Sequence, residues 1–101
     1  CPLCQSMLRP NIVLFEESLP EKQIKMLYRE TQTPFDLVLS IGTSSYFPYI
    51  SEPIWAAKQA QIPTVEINPS ETAVSHLVDT KIEQGAADSL TKIWNQYQSQ
   101  N

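Results

Sequence analysis

The chain has 101 residues, with seven basic against eleven acidic side chains and a formal net charge of −4. Leu, Ile, Val and Phe account for 26 residues, above the roughly 20% floor beneath which a highly charged chain stays disordered. The longest apolar run is four residues and no two basic residues are adjacent. A membrane span needs roughly 18 apolar residues, and a nucleic-acid groove or an anionic membrane surface needs a basic patch, so none of these is expected.

The chain opens on Cys1-Pro2-Leu3-Cys4, with no Met and no secretory or lipidation motif. It therefore reads as a piece of a longer, cytoplasmic protein. The Cys-x-x-Cys spacing is that of a zinc knuckle or a redox pair. Three readings stay open: half of a zinc site, a redox motif, or two unlinked thiols.

Asn11 to Phe15 is a β-branched run closed by Glu16 and Glu17, and predicts a strand. Neighbouring residues on a strand point to opposite faces, so the two glutamates do not form an acid/base pair. Ser18-Leu19-Pro20-Glu21 predicts a helix start capped by Ser18. Ile24, Leu27 and Tyr28 give that helix, from Pro20 to Glu30, one apolar stripe.

Phe35 to Ile41 is almost continuously apolar, which predicts a strand buried on both faces, as in a parallel sheet. A helix follows from Ser51 to Ala60, with Ile54, Ala57 and Lys58 on one face. Pro63 to Ile67 predicts another strand, stopped by Asn68-Pro69-Ser70. Thr72 to Val78 is a short helix or loop, and Thr80 to Glu83 a last strand. After Gly85 comes a terminal helix from Ala87 to Tyr97 that would bury Leu90, Ile93, Trp94 and Tyr97, then a polar tail over 98–101.

The order β-α-β-α-β-loop-β-α predicts an α/β fold: part of a doubly wound (Rossmann-like) parallel sheet with helices on both faces. Right-handed crossovers put every strand's C-terminal end on one edge, where ligands of open α/β sheets bind. Three strand ends should meet there: Phe15-Glu16-Glu17, Gly42-Thr43-Ser44-Ser45 and Asn68-Pro69-Ser70.

Only two glycines are present, Gly42 and Gly85, each just after a predicted strand. A glycine there admits close approach of a ligand, and Thr43 and Ser44 add hydroxyls and N–H groups suited to a ribose or phosphate. A plain strand-to-helix turn explains the same four residues, and the G-x-G-x-x-G fingerprint is absent. Asn68 offers a donor and an acceptor, but Asn-Pro is also a common turn. His76, the sole histidine, reads as a solvent-facing or helix-end side chain.

Taken in order, Cys1-Pro2-Leu3-Cys4, Leu8-Arg9-Pro10, Ile12 to Pro20, Asp36 to Ser45, Ile67-Asn68-Pro69 and Gly85-Ala86-Ala87 resemble the C-terminal portion of the sirtuins, the NAD-dependent protein-lysine deacylases. The likeness runs from Cys1 to about Leu90. It implies that Cys1 and Cys4 are the second CxxC of a structural zinc site whose first CxxC lies upstream. The chain would then be half of a zinc-binding module (1–10), the C-terminal part of the NAD-binding domain (11–97) and a tail.

The resemblance further implies that Val13 and Phe15 border an acyl-lysine tunnel, where an acyl-lysine protein or peptide adds as a strand. Gly42, Thr43 and Ser44 would touch the ribose and phosphate of NAD. Asn68, Pro69 and Ser70 would lie at the adenosine ribose, and Ala87 near the adenine. In the family nicotinamide leaves, the acyl group ends on ADP-ribose, and the general base is a histidine upstream of this chain, so no catalytic residue is expected here. A non-catalytic module that holds NAD or ADP-ribose is the alternative. The sequence departs from the family pattern at four places. Glu16 and Gln5-Ser6 stand where the family has glycines, Gln61 stands where a helix-ending glycine is common, and Pro48 falls one residue early.

Overall fold

The structure, a computed structural model, describes residues 1–101 and divides into two compact units, Cys1–Thr33 and Pro34–Asn101. In the first unit the only regular element is α1, Glu21–Thr31. It starts at Pro20, which is extended and makes no side-chain cap, so Ser18 does not cap it as expected. Glu21 in the first turn and Arg29 in the last complement the helix dipole, and Lys25 pairs with Glu21 one turn away. Ile24 and Leu27 are half-buried, but Tyr28 stays exposed.

The predicted strand Asn11–Phe15 does not form. No other strand pairs with it, and without a ladder partner its backbone gains nothing from being extended. Ile12, Val13, Leu14 and Phe15 are all exposed. The segment is instead folded by Arg9, which donates to both Glu17 carboxylate oxygens at 2.7 and 3.1 Å and to the Ile12 carbonyl at 3.1 Å. The Leu14 amide also donates to Glu17 at 3.0 Å. These bonds, that of Arg9 foremost, hold the Glu17 carboxyl below its ordinary range. Glu17 is thus a structural clamp.

The second unit carries a three-stranded parallel sheet in the order β1-β2-β3, with β1 at Val38–Ile41, β2 at Thr64–Ile67 and β3 at Thr80–Ile82. Ile41 pairs with Ile67 and Ile67 with Ile82, so all three strands end together at one edge. The alternating pattern therefore predicted these three strands and their parallel sense, and overcounted the sheet by the strand at Asn11–Phe15. The second helix, α2, is Pro48–Gln59 and packs on β1 and β2 through buried Ile54 and Ala57. It begins three residues earlier than predicted because Pro48 occupies its first position, where the missing N–H costs nothing. Ile54, Ala57, Ile67 and Val74 form the core. Full burial of an isoleucine contributes about 1.5–3 kcal/mol.

Two further burial expectations fail. Leu37 and Leu39 are about half exposed, so β1 is covered on the face of Ser40 and not on both. On α3, Ala86–Ser99, the stripe Leu90, Ile93, Trp94 and Tyr97 is 42–59% exposed, and Ser89 is the buried position. Helical spacing identifies the stripe, but it leaves these four side chains about half exposed.

Candidate functional site

The site grows from the strand ends. Gly42 leaves β1 with its amide donating to the Ile67 carbonyl at 3.0 Å. Its φ of +64° lies in the left-handed region that glycine enters without cost, and no atom stands within 4 Å of where a Cβ would be. The space over the turn is open. Ser45 also takes a positive φ, of 53°. It is tied down by its amide to the Thr43 hydroxyl at 3.2 Å and by its buried hydroxyl to that of Ser40 at 3.2 Å. Ser44, between them, is exposed.

The β2 end lies directly beside it. The Asn68 amide donates to the Ile82 carbonyl at 3.1 Å, and its side-chain NH2 donates to the Thr43 carbonyl at 3.1 Å. Its side-chain oxygen accepts from the Ser70 amide at 3.0 Å. Asn68 therefore does more than present a polar edge: it braces one loop against the other. A second bridge joins the Ala73 amide to the Ser44 carbonyl at 3.1 Å. Gly42, Thr43, Ser44, Asn68, Pro69 and Ser70 are thus brought to one rim. Pro69 and Ser70 are exposed there. Gly85 and Ala87 follow the end of β3 on the same edge, with Gly85 as the N-terminal cap residue of α3.

Beneath the rim is a cluster that sequence reasoning missed. Glu66, in the middle of β2, is fully buried. It accepts from the hydroxyl of Thr72, from that of Ser75 at 2.6 Å, and pairs with Lys81 at 3.3 Å. Burial pushes its carboxyl up, but these three partners outweigh burial and hold it below the usual range. Desolvation likewise works to lower Lys81, and the Glu66 and Glu71 carboxylates reverse that and raise it. The signal available was a lone acid between Val65 and Ile67, two β-branched residues of a strand, followed by hydroxyl residues in the next loop.

Residues 1–47 match the Sir2 family. The chain is 46% identical over 93 residues to NAD-dependent protein deacylase 2 of Pseudomonas aeruginosa, covering 92% of this chain and 36% of that protein. The chain belongs to the Sir2 family. A solved Sir2 homologue–NAD complex is 30% identical to it and superposes with a TM-score of 0.83 over 98% of this chain and 38% of that one. A Sir2 homologue mutant in complex with 2′-O-acetyl ADP ribose gives 0.83 at 29% identity, over 98% and 39%. The chain thus spans little more than a third of the length of the relatives it matches.

Within this Sir2-family chain the rim is an open, polar surface at the strand ends. The open, Cβ-free approach at Gly42 and the exposed Ser44 hydroxyl are what a ribose or phosphate needs. Zinc is different. Cys1 and Cys4 share a turn closed by the Gln5 amide on the Cys1 carbonyl at 2.9 Å. Hydrogen bonds from the Ser6 side chain and backbone lower the Cys4 thiol, favouring the thiolate that binds metals. Yet no third His, Cys, Asp or Glu joins them. A tetrahedral zinc takes four ligands, so these residues alone do not make a zinc site. His76 is exposed, as expected. No helix is long and apolar enough to cross a membrane.

Proposed function

We propose that this chain supplies one side of the dinucleotide site of an NAD-dependent protein-lysine deacylase. The observation that carries this reading is the bond from Asn68 to the Thr43 carbonyl, which unites two loops into one open rim at the carboxyl edge of a parallel sheet. The deacylase names of the relatives favour it over a module that only holds the nucleotide.

In this reading Gly42, Thr43 and Ser44 receive a ribose and phosphate of NAD. Asn68, Pro69 and Ser70 lie at the adenosine ribose, and Ala87 beside the adenine. When bound, NAD supplies the ribose carbon that takes the acyl oxygen as nicotinamide leaves. The chain's own residues bind and orient: the Gly42 turn lets the backbone approach, and Asn68 fixes the distance between the two loops. The general base comes from outside these 101 residues.

Val13 and Phe15, both exposed, are assigned to an acyl-lysine protein or peptide that adds as an extended strand. Cys1 and Cys4 are assigned as two thiolates of a structural zinc whose other ligands lie outside this chain. The acidic balance argues against nucleic-acid and anionic-membrane partners, and we assign the protein to the cytoplasm. The test is NAD titration of the full-length protein with Ser44→Ala. Affinity is expected to fall about tenfold, the order of a lost hydrogen bond to a charged group. Unchanged affinity would overturn the assignment of the Gly42 turn.

A further inference from the structure

The buried cluster under the rim has no part in the reading above, yet every branch of it ends on a rim loop. Thr72 and Ser75 both point their hydroxyls at the Glu66 carboxylate. The Thr72 amide donates to the Ser75 hydroxyl at 2.9 Å, and the Val74 amide to that of Thr72 at 3.3 Å. Residues 72–75 are therefore wound around a single carboxylate, with Val74 fully buried below. From this coil the Ala73 amide reaches the Ser44 carbonyl at 3.1 Å. A second branch runs through Lys81. Its ammonium contacts Glu66 at 3.3 Å, the Ser75 hydroxyl at 2.8 Å and the Ser70 carbonyl at 2.8 Å. Glu71 adds an exposed carboxylate at 3.4 Å.

A buried ion pair is a poor source of net stability, because desolvation offsets its attraction. Apolar residues would fill a strand centre at least as well. What the pair does supply is direction. It sets where the Ser70 carbonyl and the Ala73 amide stand, and through them the spacing of the two loops.

We propose that Glu66 and Lys81 are positioning residues, an internal ion pair that holds the 68–75 loop in the arrangement that receives the adenosine side of the dinucleotide. The inference rests on the proposed NAD site. It predicts that neither residue touches the ligand and that both set its affinity.

The experiment uses the full-length protein with Glu66→Gln, Lys81→Met and Lys81→Arg, and Ser44→Ala as a control on the rim. Glu66→Gln keeps the shape but removes the charge that Lys81 needs. It is expected to raise KM for NAD about tenfold while KM for the acyl-lysine peptide and kcat move less than about twofold. Lys81→Met should raise KM for NAD in the same direction, and Lys81→Arg, which keeps the charge, should recover most of the affinity.

A merely structural role would lower kcat, raise both KM values and depress thermal stability together, and that pattern overturns the proposal. So does an unchanged KM for NAD in folded Glu66→Gln. If Glu66→Gln fails to fold, Lys81→Met and Lys81→Arg decide alone, since Lys81 lies at the edge of the cluster. If Ser44→Ala also leaves NAD binding unchanged, the site assignment has failed and not only the positioning role.

Discussion

The side-chain NH2 of Asn68 stands 3.1 Å from the Thr43 carbonyl, across 25 residues of sequence, and makes two strand ends into one surface. The same side chain accepts the Ser70 amide at 3.0 Å. One amide group thus fixes both the shape of its own loop and that loop's distance from its neighbour.

Asn68→Asp separates those two tasks. The aspartate still accepts from Ser70, but it presents an oxygen to the Thr43 carbonyl where a donor stood. The expected result is a stability loss of about 1 kcal/mol and a clear weakening of NAD binding. Thermal denaturation and calorimetric titration of the full-length protein check both. An unchanged affinity would mean that the brace is dispensable.

Gln61 gives a second prediction. It follows α2 with φ of 59°, its amide on the Lys58 carbonyl at 3.2 Å, and the Ile62 amide on the Ala57 carbonyl at 2.9 Å. That is the Schellman pattern, in which the left-handed position favours glycine. Gln61→Gly should raise the denaturant midpoint, by about 0.5–1 kcal/mol in stability, with no change in slope. A lower midpoint would contradict the strain argument.

Acid sensitivity gives the third. Lys58 first, then the Thr64 amide and hydroxyl, hold the Asp79 carboxyl below its ordinary range. Both Thr64 bonds are 3.0 Å long. A depressed folded pKa contributes stability that is complete above the unfolded value, near about 3.9 for Asp, and is lost as pH falls through the folded one. Glu66 acts with the same sign, from near about 4.3. Lys81 is raised, so its share is present below about 10.4 and lost as pH climbs through its folded value. Stability should therefore be flat from pH 7 to 5 and fall below about 4. Asp79→Asn should be less stable at pH 7 and show a shallower acid decline. Denaturant melts across a pH series measure this, and an unaltered slope would remove Asp79 from the account.

The sheet and its rim were legible because alternation of strand and helix fixes strand direction, and direction fixes which ends meet. Gly42 and Asn68 follow from that alone. The strand at Asn11–Phe15 was misread because β-propensity describes a residue's fit to a half-buried surface, and that surface needs a neighbour. Leu37, Leu39 and the stripe on α3 were misjudged for the same reason: periodicity names a face but not what covers it. Glu66 stayed hidden because a buried carboxylate depends on partners six to fifteen residues further on, which no local pattern reports.

The departures from the family's glycines have a backbone counterpart. Gln5, Glu16 and Gln61 all have positive φ, of 62°, 67° and 59°. The chain keeps the left-handed turns and replaces the residue that enters them most easily. At Glu16 the Glu17 amide closes the turn on the Leu14 carbonyl at 3.1 Å, and the Arg9–Glu17 clamp holds the same segment.

The bond between the Ala73 amide and the Ser44 carbonyl ties two surface loops that would otherwise fluctuate separately. Opening either one breaks a bond to the other, so the two strand-end loops are expected to open as one cooperative unit. In solvent-exchange terms, the Ala73 proton reports on the whole mouth of the site: it would trade with deuterium at the rate at which both loops let go together.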